Sequence, residues 1–245
     1  MSKRPDLFTS YQKEISIFPN NTQKFWFITL LIASIYVCFI ASDYWLILLT
    51  NALLVSIAAW GLNIVSGLAG QINLAHGVFV GIGTYTSAVL GGVATRSVIG
   101  FELDLIIWLP LSGIAAALIG LIISPIAVRL KGLNLGLVTL AFVFIGAHFF
   151  NNMTFVTGGS GLGRKAAKLN IFGIDFNSGY QIGEFLIQKN QILYLISLLV
   201  TVLLGLGVKN LVRSKTGRAF AAIRDRDIAA EALGCLLYTS DAADE

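Results

Sequence analysis

Apolar residues in this chain fall in long uninterrupted runs rather than in the short stripes of a water-soluble fold. Residues 44–64, 105–128 and 133–150 carry no charged side chain. A helix rises about 1.5 Å per residue, so the first run covers about 31 Å, the thickness of a bilayer's hydrocarbon core. Six segments are predicted to span a membrane: 25–41, 44–64, 72–94, 105–128, 133–150 and 191–208. The pattern therefore predicts an all-α fold, a polytopic transmembrane helical bundle. A tight turn at Asp43 is expected to join the first two spans. The third holds Gly77, Gly81, Gly83, Gly91 and Gly92, which predicts a broken or re-entrant helix. Such backbone is tolerated at membrane depth only where protein or water satisfies it.

Composition supports this pattern. Hydrophobic residues make up 56% of the chain and charged residues 12%, whereas a soluble domain carries about a quarter charged residues. The net charge of +4 does not point to nucleic acid, because most basic residues flank apolar runs, as in cytoplasmic loops. With the N-terminus inside, 12 Lys and Arg fall on one side: four before residue 25, Arg129 and Lys131, and six from Lys209 to Arg226. The other side holds the 5 residues Arg96, Arg164, Lys165, Lys168 and Lys189. The bias predicts a cytoplasmic N-terminal segment at 1–24, a transmembrane domain at 25–208 with an external loop at 151–190, and a cytoplasmic segment at 209–234. Lys24 before an apolar stretch has the look of a signal peptide, but the preceding residues are long and mixed in charge, so the first span is read as uncleaved. Cys38 and Cys235 suggest no disulfide framework.

Small residues recur at four-residue spacing in Gly77/Gly81, Gly113/Ala117, Ala116/Gly120 and Gly132/Gly136, which lets helix backbones pack closely. Polar residues gather at Asn63, Gln71, Asn73 and His76, with Asn51, Asn134 and Thr139 as further members. A solute path needs such groups, and these four are the candidate translocation path, although bridging helices or satisfying a broken backbone would also explain them. No acidic residue lies inside a span except near the ends, which counts against proton- or Na⁺-coupled carriage. His76 and His148 have no Cys, Asp or Glu companions at ligand spacing, so no metal site is expected.

The run from Thr157 through Gly158, Gly159, Ser160, Gly161 and Gly163 to Lys165 imitates two motifs. A P-loop needs Lys and then Ser or Thr after its last glycine, but Arg164 and Lys165 stand there. The Gly-x-Ser-Gly pattern is also seen in rhomboid proteases, whose serine opens a membrane helix, while basic residues follow it here. A flexible external gate or docking loop, carried by Gly158, Gly159, Ser160 and Gly161, is the better expectation.

The most informative segment is polar. Residues 213–234 read RSKTGRAFAAIRDRDIAAEALG, with Ala219, Ala222, Ile223, Arg226 and Ala230 at helical spacing and Gly234 placed to end the helix. A short cytoplasmic helix of small and charged residues is shaped to dock into another protein; binding anionic lipid is the alternative. This segment resembles the coupling loop of ABC importer permeases, whose pattern is Glu-Ala-Ala, three residues, Gly. Ala229, Ala230 and Gly234 match, while Ile228 stands where the acidic residue belongs and Asp227 precedes it. Gly217-Arg218-Ala219 and Ala222-Ile223-Arg224-Asp225 are closer to the LivM-like permeases of branched-chain amino acid importers. Three further stretches resemble the same family in the same order: WGLNIVSGLAGQINLAHGVFVGIGTYTSAVL at 60–90, RLKGLNLGLVTLAF at 129–142 and TGGSGL at 157–162.

The resemblance implies one of two membrane subunits of an ATP-driven importer in a bacterial inner membrane. A LivH-like second permease, two cytoplasmic ATPases and a periplasmic substrate-binding protein are the implied partners. ATP would bind on the partner subunits, with no cofactor on this chain and no enzymatic activity of its own. Coupling to the ATPase falls on Arg218, Ala222, Arg224, Asp225, Asp227, Ala229, Ala230 and Gly234. The substrate would be a branched-chain or similar amino acid. A urea or amide permease is the alternative within the class, and an ion-coupled carrier or a non-transporting scaffold the alternatives outside it. Residues 235–245 depart from the family, which continues there through further spans, and are read as a non-native tail.

Overall fold

The computed structural model describes residues 18, 20–130, 132–159, 163–171, 174–176, 180–182 and 185–225. Its helices are α1 (Asn21–Ile40), α2 (Asp43–Leu62), α3 (His76–Gly91), α4 (Leu105–Val128), α5 (Leu133–Asn152), the single turn α6 (Thr154–Thr157), α7 (Lys189–Arg213) and α8 (Lys215–Asp225). α2 runs on into a π-helix at Asn63–Leu68. Two antiparallel pairings, β1 (Asn170–Ile171) with β2 (Ile174–Asp175) and β3 (Tyr180–Ile182) with β4 (Phe185–Ile187), lie between α6 and α7.

Among the described residues, five helices are long and apolar enough to cross a membrane: Asn21–Ile40, Asp43–Leu68, Leu105–Pro125, Leu133–Asn152 and Lys189–Arg213. Little of their surface is buried within the chain, none of it in the apolar window of Leu105–Pro125. Leu121 and Ile122 are 69% and 74% exposed. In water such faces would be untenable; in a bilayer they meet lipid or other helices. The chain is thus a multi-pass helical membrane protein. The third predicted span is shorter than expected. Its helix, α3, is 16 residues long, about 24 Å, and the residues before it are not helical. Asp43 also differs from expectation: it is the first residue of α2, and the joint lies at Ala41–Ser42.

The chain divides into two compact units, residues 1–70 with 193–245 and residues 71–192. The first has its core where Cys38, Leu46 and Tyr194 meet, with Ala41, Leu49, Leu53, Leu195 and Leu198 around them. The Tyr194 hydroxyl donates to the Ser34 carbonyl at 3.2 Å. Polar residues within these helices turn back on their own backbone, Thr50 to Leu46 at 2.7 Å and Thr201 to Ser197 at 2.7 Å. That is the inexpensive solution for a hydroxyl in an apolar medium. Farther along, Lys209 Nζ sits 4.2 Å from the centre of the Phe18 ring, and Phe18 packs on Phe27.

The second unit is built around α3, which packs on α4 and α5 through glycines. A Cβ at Gly146 would lie 2.6 Å from Val78 Cγ1, and one at Gly81 2.7 Å from the Phe150 ring. At Gly91 it would meet Trp108 at 2.5 Å and Ala167 at 2.7 Å. Aromatic pairs Phe79–Phe142 and Tyr85–Phe150, with ring centres 5.8 and 4.9 Å apart, fill the remaining space.

Candidate functional site

The polar cluster at 63–76 falls on both sides of the boundary between the two units. In the first unit, Asn63 opens the π-helix and is exposed. It lines a cavity of ≈ 250 Å³ with Ile64, Gly67, Leu68, Val208 and Val212. The π-helix widens the ring to i→i+5, closed by Ala69 N–H donating to Ile64 O at 3.1 Å. Such insertions occur often at functional sites. The helix stops at Gly70, whose φ of +68° is a left-handed conformation that glycine adopts without a Cβ penalty.

In the second unit the approach to α3 is held by side chains. Asn73 Oδ1 accepts from Ala75 N–H at 3.0 Å. Thr139 Oγ1 accepts from Leu74 N–H at 3.2 Å and donates to Gly136 O at 2.9 Å. Asn73 and Thr139 are thus engaged in satisfying a broken backbone, as membrane depth requires. Gln71 is exposed. His76 Nε2 is buried with no hydrogen-bond partner, so its bonding capacity is unspent inside the fold. His148 is engaged within α5, its ring nitrogens 3.1 and 3.3 Å from Asn152 Nδ2.

The glycine-rich run follows α6. Gly158, with φ +81°, closes that turn by donating to Thr154 O at 2.8 Å, and Gly159 N–H reaches Thr157 Oγ1 at 3.3 Å. Ser160 and Gly161 lie outside the described residues. The residues just beyond are tied down. The Arg164 guanidinium donates to Val156 O at 2.9 Å and also to Ile99 O, and burial pulls its pKa below the ordinary arginine value. Lys168 N–H donates to Gly91 O at 2.9 Å, and Lys168 Nζ pairs with Glu102 at 3.0 Å. Glu102 itself holds φ +50°. Little in the sequence marks this stitching, because most of it joins positions 60 or more residues apart.

The polar segment after α7 begins as predicted. Ser214 caps α8, its Oγ accepting from Gly217 N–H at 3.3 Å, the usual role of serine at a helix start. Arg218 Nη1 donates to Arg213 O at 3.2 Å, at the carbonyl end of α7, where a cation is favoured. Arg224 Nη1 donates to Gly67 O at 3.0 Å. α8 is described to Asp225; Asp227, Ala229, Ala230 and Gly234 lie outside the described residues.

Residues 44–239 match the model of the family described as the permease component of branched-chain amino acid transport systems. The chain belongs to that family. Two curated relatives are the high-affinity branched-chain amino acid transport system permease proteins LivM of Escherichia coli K12 and of Salmonella typhimurium LT2, each 31% identical over 224 residues. The alignment covers 86% of this chain and 51% of each relative, so the chain spans about half the length of the curated relatives it matches. No solved structure gives a significant match. The matched region takes in the π-helix, the approach to α3, the glycine-rich run and α8 of this permease.

Proposed function

We propose that this chain is the membrane-spanning permease subunit of an ATP-driven importer that carries branched-chain or similar amino acids delivered by a periplasmic binding protein. The observation that carries the reading is α8: a basic, serine-capped helix following a 25-residue apolar helix, within a chain of the permease family. Its partners are a second permease subunit, two cytoplasmic ATPases and the binding protein. The ATPases dock on Arg218–Gly234 and supply the hydrolysis. The N-terminus and α8 face the cytoplasm of a bacterial inner membrane, on the side that collects the 12 basic residues. Gly158–Gly161 serves as an external gate or docking loop.

Asn63, Gln71, Asn73 and His76 are the candidate path residues of this reading. Asn73 already has its side-chain oxygen engaged by Ala75 N–H. Ala230→Glu, a bulky acidic side chain in place of a small docking residue, is expected to release the ATPase from the complex. Unchanged ATPase co-purification together with unchanged uptake would defeat the assignment.

A further inference from the structure

α8 does more than offer a docking surface, because its last described turn grips the π-helix of its own unit. Gly67 lies in the final turn of the π-helix, where carbonyls have no intrahelical donor. Arg224 supplies one, with its charge at the negative end of the helix dipole. The aliphatic stem of Arg224 lies over Gly70: a Cβ there would be 2.5 Å from Arg224 Cγ and 3.2 Å from its Cβ. Gly70 therefore meets two demands, a positive φ and room for the arginine. The cavity between the π-helix and Val208 and Val212 leaves space for that turn to rewind. Asn63, at the head of the π-helix, lines the same cavity.

We propose that Arg224 is a positioning residue that transmits displacement of α8 to the π-helix, and through it resets the direction in which Asn63 is presented. A π-turn holds one residue more than the α-turn it replaces. Pulling on Gly67 O therefore favours one winding, and releasing it favours the other. One residue of rewinding turns a side chain by about 100°, enough to move Asn63 into or out of the cavity. This inference rests on the reading of α8 as the ATPase contact.

The test is uptake per ATP hydrolysed in the assembled importer, for Arg224→Met, Gly70→Ala and the double variant. Loss of one charge-assisted bond predicts a fall of about tenfold for each single variant. The double variant should be no worse than the worse single, since both break one contact. Arg224→Lys, which keeps charge and stem, should recover most of the ratio. Gly70→Ala should co-purify with the ATPase as the wild type does. An unchanged ratio in both single variants, multiplying losses in the double, or ATPase lost by Gly70→Ala would overturn the latch. A wild-type assembly that retains no ATPase would instead overturn the reading beneath it.

Discussion

At the scale of single residues, a glycine matters here through the side chain that faces it. Gly146 and Gly81 each leave less than a methyl's width to Val78 and Phe150, whereas Gly77 and Gly83 have nothing within 4 Å. Gly146→Ala is expected to cost about 1–3 kcal/mol through overpacking, read as a lower unfolding temperature in detergent. Gly83→Ala should leave stability unchanged or raise it slightly, because alanine is the better helix former by about 1 kcal/mol; equal losses at both positions would contradict the packing described. Four-residue spacing in the sequence picks out Gly77/Gly81 and Gly113/Ala117, yet Gly77 and Gly113 face open space. It passes over Gly146, whose neighbours at that spacing are Phe142 and Phe150. A sequence repeat reports that backbones could approach; only the residue opposite decides whether they do. Arg164 carries the same lesson. Arg164→Met removes its bonds to Ile99 and Val156 carbonyls, which predicts a loss of about 1–3 kcal/mol and faster proteolysis of the loop at 92–104. An unaltered cleavage rate there would show that the arginine holds nothing.

At the scale of elements, the apolar runs gave the spans nearly to their ends. The run at 105–128 coincides with α4, and that at 133–150 stops two residues short of α5. α2 with its π-helical continuation, and α7, extend past their predicted ends, to Leu68 and Arg213, because polar residues near a helix end do not stop it. The break in the third span was legible, but not its position. The glycines suggested it, yet α3 runs through Gly77, Gly81 and Gly83 and the irregular stretch precedes His76. There Asn73 and Thr139 replace the missing helical bonds, and a threonine 65 residues away cannot be seen by local pattern. Thr139→Val leaves Leu74 N–H without that partner and should destabilise the second unit by about 1–3 kcal/mol. Thr139→Ser keeps the acceptor and should restore the melting temperature; failure to do so would remove the hydroxyl from the account.

At the scale of the whole molecule, extensive apolar exposure describes a chain whose faces lipid or other helices must cover. Lipid can cover the exposed faces of α4, and on the proposed reading α8 meets an ATPase in water. Sidedness follows from charge: with native cysteines removed, Lys215→Cys should react with an impermeant thiol reagent only from the cytoplasmic side, and Lys165→Cys only from outside. The reverse pattern would invert the assignment. The family was legible from ordered motifs, above all the segment from Arg218 to Gly234, and the match over residues 44–239 spans those stretches. The Arg224–Gly67 contact was not legible, since it joins residues 157 positions apart. The most direct test of the importer reading is leucine uptake into proteoliposomes holding the permease with its second membrane subunit and two ATPases. Uptake is predicted to require ATP and the binding protein together; uptake that proceeds without ATP, driven by a proton or Na⁺ gradient, would contradict it.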